Sequence, residues 1–149
     1  MKTMLVMRQN KFFPAAIALC MVAFSTIGPM PSASATTPTP VPVSITAVFD
    51  FSTFPNVSGT FTTTGALTIS GSATMSVGLN FNGTIAHCVV TLIAPNGTII
   101  IDQECQFATS PPKGRWEIVS GTGAYANLNG NGSLTMPPNT EAMTGYIYK

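Results

Sequence analysis

KGRWEIVSGTGAYANLNGNGSLTM, residues 113 to 136, decides how the rest of the chain is read. Trp116 and Ile118 alternate with Glu117 and Val119, which predicts a strand with one apolar face up to Ser120. Gly121-Thr122-Gly123 then supplies residues that tolerate positive φ. Ala124 to Leu128 fits a short helical or irregular excursion, and Asn129-Gly130-Asn131-Gly132 leads into a second strand at Ser133 to Met136. Gly121 and Gly123 therefore read as structural turn residues, because no nucleophile, metal ligand or acid/base pair lies within that turn.

Outward from this block, strands fall near Val43 to Phe51, Gly59 to Ser70, Thr74 to Phe81, Thr84 to Ala94, Thr98 to Phe107, Gly114 to Ser120, Gly132 to Met136 and Ala142 to Tyr148. That makes eight, with turn residues between them, a spacing that suits a barrel or a sandwich. No segment sustains helical periodicity, so the chain reads as all-β. The strand, Gly-Thr-Gly turn, small aromatic-bearing crossover and Gly-rich strand of residues 113 to 136 resemble the corresponding block of dirigent proteins and allene oxide cyclases. The resemblance covers about 24 of the 149 residues. It implies a small eight-stranded antiparallel barrel, and with it an enzyme or stereochemical guide acting on a hydrophobic small molecule. Those families carry acidic residues in the barrel lumen, but the matched residues assign no catalytic position here.

The two ends bound the folded part. Lys2, Arg8 and Lys11 form a basic region, Phe12 to Phe24 is an apolar run broken by Pro14, and Ala33-Ser34-Ala35 is the small-residue pattern of a signal-peptide cleavage site. The expected signal peptide is residues 1 to 35, and the mature chain is expected to be secreted or periplasmic. The apolar run is too short to cross a bilayer that needs a helix of about 20 residues, so no stable membrane insertion is expected. Leu19 before Cys20 argues against a lipid-attachment site. Residues 36 to 42, TTPTPVP, read as a Pro/Thr-rich tether, and residues 43 to 149 as one β-barrel domain.

Beyond residue 35 the cations are Lys113, Arg115 and Lys149, against Asp50, Asp102, Glu104, Glu117 and Glu141. Three cations cannot neutralise the several phosphates on which nucleic-acid affinity rests, so a nucleic-acid partner is not expected. No GxSxG, HExxH, phosphate-loop or dinucleotide fingerprint occurs, and no cofactor is implied.

Asn82-Gly83 and Asn96-Gly97 are the dipeptides that suit the positive-φ corner of a type I′ hairpin. Centring the second hairpin on Asn96-Gly97 sets Leu92 opposite Ile101 and Cys88 opposite Cys105. The two cysteines would then form a non-hydrogen-bonded pair with Cα atoms about 4.5 Å apart, which predicts a cross-strand disulfide in an oxidising compartment. The alternative is two reduced core cysteines in the same register. Beyond residue 35 there are one His and two Cys and no CxxC spacing, so a zinc site is not expected. Around Asn82-Gly83, Met75/Val90, Val77/Cys88 and Leu79/Ala86 share an apolar face that continues through Leu92, Ile99, Ile101 and Phe107. The opposite face, with His87, Val89, Asp102, Glu104 and Gln106, is mixed. It leaves open water, a lined cavity or a partner subunit, the last compatible with a homo-oligomer.

On that face His87 would oppose Gln106 and lie diagonal to Glu104, an arrangement that suits an acid/base pair or a plain cross-strand polar contact. Asp102 with Glu104, and Arg115 with Glu117, could line a pocket and orient a polar ligand, or form a salt-bridged solvent face. Trp116 and Tyr125 could stack on a ligand, although a single Trp amid alternating strand residues is more often core, and Tyr125 is placed to cap a barrel end. Asn56, Asn82, Asn96 and Asn131 open Asn-X-Ser/Thr sequons, three of them already explained as turns. The reading is a small-molecule binding or surface-interaction module that takes an apolar small molecule. The alternatives are a dirigent- or cyclase-like enzyme and a structural extracellular protein.

Overall fold

The computed structural model describes residues 37–80 and 82–149; the predicted signal peptide lies outside the described residues. Eight antiparallel strands close into a barrel in chain order: β1 (Val41–Asp50), β2 (Asn56–Gly65), β3 (Ser70–Leu79), β4 (Ile85–Ala94), β5 (Gly97–Gln106), β6 (Lys113–Gly121), β7 (Asn129–Thr135) and β8 (Thr140–Tyr148). Every strand pairs with its chain neighbour, and β8 returns to β1 through Ile45↔Met143 and Ala47↔Glu141. Closure leaves no unpaired sheet edge. Among the described residues no helix is long and apolar enough to cross a membrane.

Alternation drives this arrangement. In β1, Val43, Ile45, Ala47 and Phe49 point into the lumen and their neighbours point outward. The lumen is filled by Phe61, Met75, Leu92, Ile99, Ile101, Leu134, Met143 and Trp116, large side chains whose burial stabilises by roughly 1.5–3 kcal/mol each for the aliphatic and Phe members. Trp116 is the largest, and β7 and β8 make room for it. A Cβ on Gly145 would sit 2.7 Å from Trp116 Cζ2, and one on Gly132 would sit 2.8 Å from Nε1. The indole N–H donates to the carbonyls of Ser133 at 3.1 Å and Thr144 at 3.3 Å, so the buried polar atom is satisfied.

Three expectations are corrected. Pro42 and Val41 belong to β1 rather than to a tether, paired with Tyr146 and Ile147. Pro42 is tolerated because it lies at the strand's beginning, before the β1–β2 ladder starts at Val43↔Gly65, and its carbonyl still accepts from Ala66 N. The predicted second strand ran to Ser70, but the chain turns at residues 66–69. That corner contains no Pro and is shaped by Gly65 at φ +94 and by the buried Thr63, whose Oγ1 donates to Leu67 O and accepts from Ile69 N.

The third correction concerns the second hairpin. Its corner is Pro95-Asn96, with Ala94 opposite Gly97, so Cys88 pairs with Gln103 and Cys105 with Ala86. Proline's fixed φ suits the first corner position, and its missing N–H disfavours a paired strand position, so the corner moves one residue toward the N-terminus. Every partner changes by two and every side chain keeps its face. The first hairpin has the expected register, with Met75↔Val90 and Val77↔Cys88.

Candidate functional site

The charged residues singled out in the sequence come together on the outside of the barrel. His87, Glu104 and Arg115 are consecutive partners across β4, β5 and β6. His87 thus opposes Glu104 rather than Gln106. Arg115 Nη2 donates to Glu104 Oε2 at 3.0 Å, and the Arg115 side chain is 77% exposed. One step along, Asp102 lies opposite Glu117. His87, Asp102, Arg115 and Glu117 are exposed and Glu104 is partly buried, and together they border one surface concavity. Among the described residues, no three His, Cys, Asp or Glu side chains gather as a metal-ligand set.

The chemistry inside the barrel comes from residues the sequence reading passed over. Glu141 in β8 is fully buried and Gln103 in β5 nearly so. Gln103 Nε2 donates to Glu141 Oε1 and also contacts Met143 Sδ at 3.4 Å. Among the described residues Gln103 Oε1 and Glu141 Oε2 have no hydrogen-bond partner. Burial pushes the Glu141 carboxyl from 4.5 up to about 7, against the lowering effect of the Gln103 bond. At neutral pH this group is therefore divided between acid and carboxylate.

Both residues carried a signal. Gln103 sits between Ile101 and Cys105 in the alternation that defines the inward face of β5. Glu141 continues the inward series of Met143 and Ile147 once β8 is begun at Thr140 rather than at Ala142. An exposed start for the last strand hid it.

Glu141 borders a cavity of about 320 Å³ at the barrel end formed by the β1–β2, β3–β4, β5–β6 and β7–β8 connections. Its wall is mainly apolar, with Phe49, Phe51, Phe54, Phe107, Val77 and Leu79, and Asn139 and Thr140 are polar members beside Glu141. Phe49 and Phe51 meet edge to face with centroids 6.3 Å apart. Phe54 and Leu79 are each 51% exposed at the rim. The volume of about 320 Å³ is at the lower end of the roughly 300–1,000 Å³ usual for small-molecule sites, and a mainly apolar wall with a few polar groups has the usual composition of such a site.

Cys88 and Cys105 are buried free thiols. The register moves them from directly opposite to diagonal positions, and their side chains remain within hydrogen-bonding reach of each other. The bond to Cys88, with burial, holds the Cys105 thiol well above its ordinary value. Trp116 and Tyr125 are 2% and 6% exposed and present no free face to a ligand. Tyr125 lies in a single 3-10 turn (Gly123–Tyr125) at the barrel end away from the cavity. There Gly123 has φ +58, and a Cβ on it would lie 2.2 Å from Asn96 O. Gly121 is confined by close approach alone, with Tyr125 O 2.2 Å from its would-be Cβ.

No protein-family model matches the chain. No curated protein matches it either.

Proposed function

We propose that this protein is an exported binding barrel that takes an apolar small molecule into the cavity beside Glu141. The carrying observation is the combination in one place of an aromatic and aliphatic wall, an exposed rim and a fully buried carboxyl with an unpartnered oxygen. A buried polar atom without a partner costs about 1–3 kcal/mol, a cost that a ligand or an ordered water meeting it would offset. The resemblance of residues 113–136 to dirigent proteins and allene oxide cyclases is consistent with a hydrophobic ligand.

A neutral environment-sensitive dye such as N-phenyl-1-naphthylamine should bind saturably at one site. Val77→Trp, which fills the cavity, and Leu79→Asp, which charges its rim, should each weaken binding at least tenfold while circular dichroism remains that of the wild type. Unchanged affinity in both variants places the dye elsewhere and removes the proposal. For the export reading, N-terminal sequencing of protein recovered outside the cytoplasm should begin at or near Thr36; a retained full-length chain would overturn it.

Glu141 also supports a second reading. A carboxyl divided between its two forms near neutral pH, in an apolar enclosure, can transfer a proton to or from a confined intermediate. On that reading Glu141→Gln abolishes turnover but retains ligand affinity.

A further inference from the structure

We infer that the ligand of this cavity is a neutral, mainly apolar molecule bearing a hydroxyl group, which meets Glu141 Oε2. The inference rests on the cavity being the binding site. Glu141 Oε1 is already taken by Gln103 Nε2, leaving Oε2 as the unpartnered carboxyl oxygen. Oε2 is an acceptor when Glu141 is ionised and bears the donating proton when it is not, since Oε1 is the oxygen already receiving an N–H. A ligand carbonyl can answer only the acid, and a ligand ammonium only the carboxylate. A hydroxyl answers both, donating to one and accepting from the other.

Charge points the same way. Among the described residues, the basic side chains His87, Lys113, Arg115 and Lys149 are all exposed, and none borders the cavity. A ligand carboxylate or phosphate would enter an apolar enclosure with no counter-charge and face Glu141 as a like charge, which is unfavourable on both counts. Fatty acids and phosphorylated lipids are therefore poor occupants, although the wall itself would accept their chains. Headgroup rather than chain sets the selection.

Three ligands that share an unbranched ten-carbon skeleton test this: 1-decanol, 2-decanone and decanoate, each competed against the naphthylamine dye at pH 5.5 and pH 8.5. The expected order at pH 8.5 is decanol tightest and decanoate weakest, separated by tenfold or more. Decanol affinity should change by less than about threefold between the two pH values, whereas decanone should weaken several-fold at the higher one. Glu141→Gln, whose amide oxygen keeps the Gln103 bond and whose N–H group then donates at every pH, should remove the pH dependence of decanone. Decanoate binding as tightly as decanol at pH 8.5, or decanol weakening with pH as decanone does, overturns the hydroxyl assignment while leaving the cavity a binding site. Failure of all three ligands and the dye to bind overturns both.

Discussion

The two ends of this barrel solve opposite problems with the same strands. At the end carrying the β2–β3, β4–β5 and β6–β7 connections, backbone seals the lumen. Ala124 N donates to Asn96 O at 2.9 Å, Thr122 N to Thr98 O at 2.9 Å, and Tyr125 is buried beneath. At the other end the loops carry Pro55, Pro112, Pro137 and Pro138 with a set of phenylalanines, and they leave a void of about 320 Å³. Interlocked main chain gives a seal that tolerates no added atom. Loosely apposed side chains give a mouth. The left-handed Gly123 packed against Asn96 belongs to the sealed end, whereas the buried carboxyl of Glu141 borders the void at the other.

The largest expected effect breaks the sealed end. Gly123→Val places a β-branched residue at φ +58 and a Cβ 2.2 Å from the Asn96 carbonyl oxygen. Strain of about 1–3 kcal/mol for the backbone and a similar cost for the clash together predict a loss of about 4 kcal/mol by chemical denaturation. Dye affinity at the far end should fall only as folded protein is lost. Unchanged stability with binding abolished would instead make this turn part of the site.

The next effect belongs to the open end and depends on pH. The Glu141 carboxyl keeps its proton up to about 7 when folded, against 4.5 as its reference value. Between those values the folded state holds a proton that the unfolded chain has released, so stability falls as pH rises through that window and is fully present below it. The shift corresponds to about 3 kcal/mol. Glu141→Gln should flatten this decline between pH 4.5 and 7 and leave the variant more stable than the wild type at pH 8. Parallel wild-type and variant stability curves across the window would mean that Glu141 titrates as an exposed carboxyl, and the buried anchor would be lost with it.

Alternation and turn chemistry made the eight strands, the closed all-β architecture and the inward faces legible in the sequence. Parity explains why the faces survived a wrong hairpin centre: moving the corner from Asn96-Gly97 to Pro95-Asn96 changes every partner by two and no side chain's direction. The same shift turned the expected Cys88/Cys105 facing pair into a diagonal one. The conspicuous charges His87, Glu104 and Arg115 were legible from strand pairing and lie together across β4, β5 and β6. Glu141 was obscured because strand starts are poorly specified locally. Its burial depends on pairing with β1 opposite Ala47, a contact nearly a hundred positions away in the chain.

The smallest effect asks what holds the sealed end together. Thr122 Oγ1 accepts from Thr98 N at 3.0 Å and lies 2.8 Å from Thr98 Oγ1, tying the crossover to β5 by side chain as well as by main chain. Thr122 is extended, with φ −129 and ψ 165, so Val fits its backbone without strain and removes the hydroxyl alone. Both residues are near solvent, and water can take up the freed Thr98 N–H, which limits the cost of Thr122→Val to about 1 kcal/mol in a denaturation midpoint. Ligand affinity should not move. A loss as large as that of Gly123→Val would assign the seal to side-chain hydrogen bonds, whereas a loss several times smaller leaves it with the close fit of Gly123 against the Asn96 carbonyl.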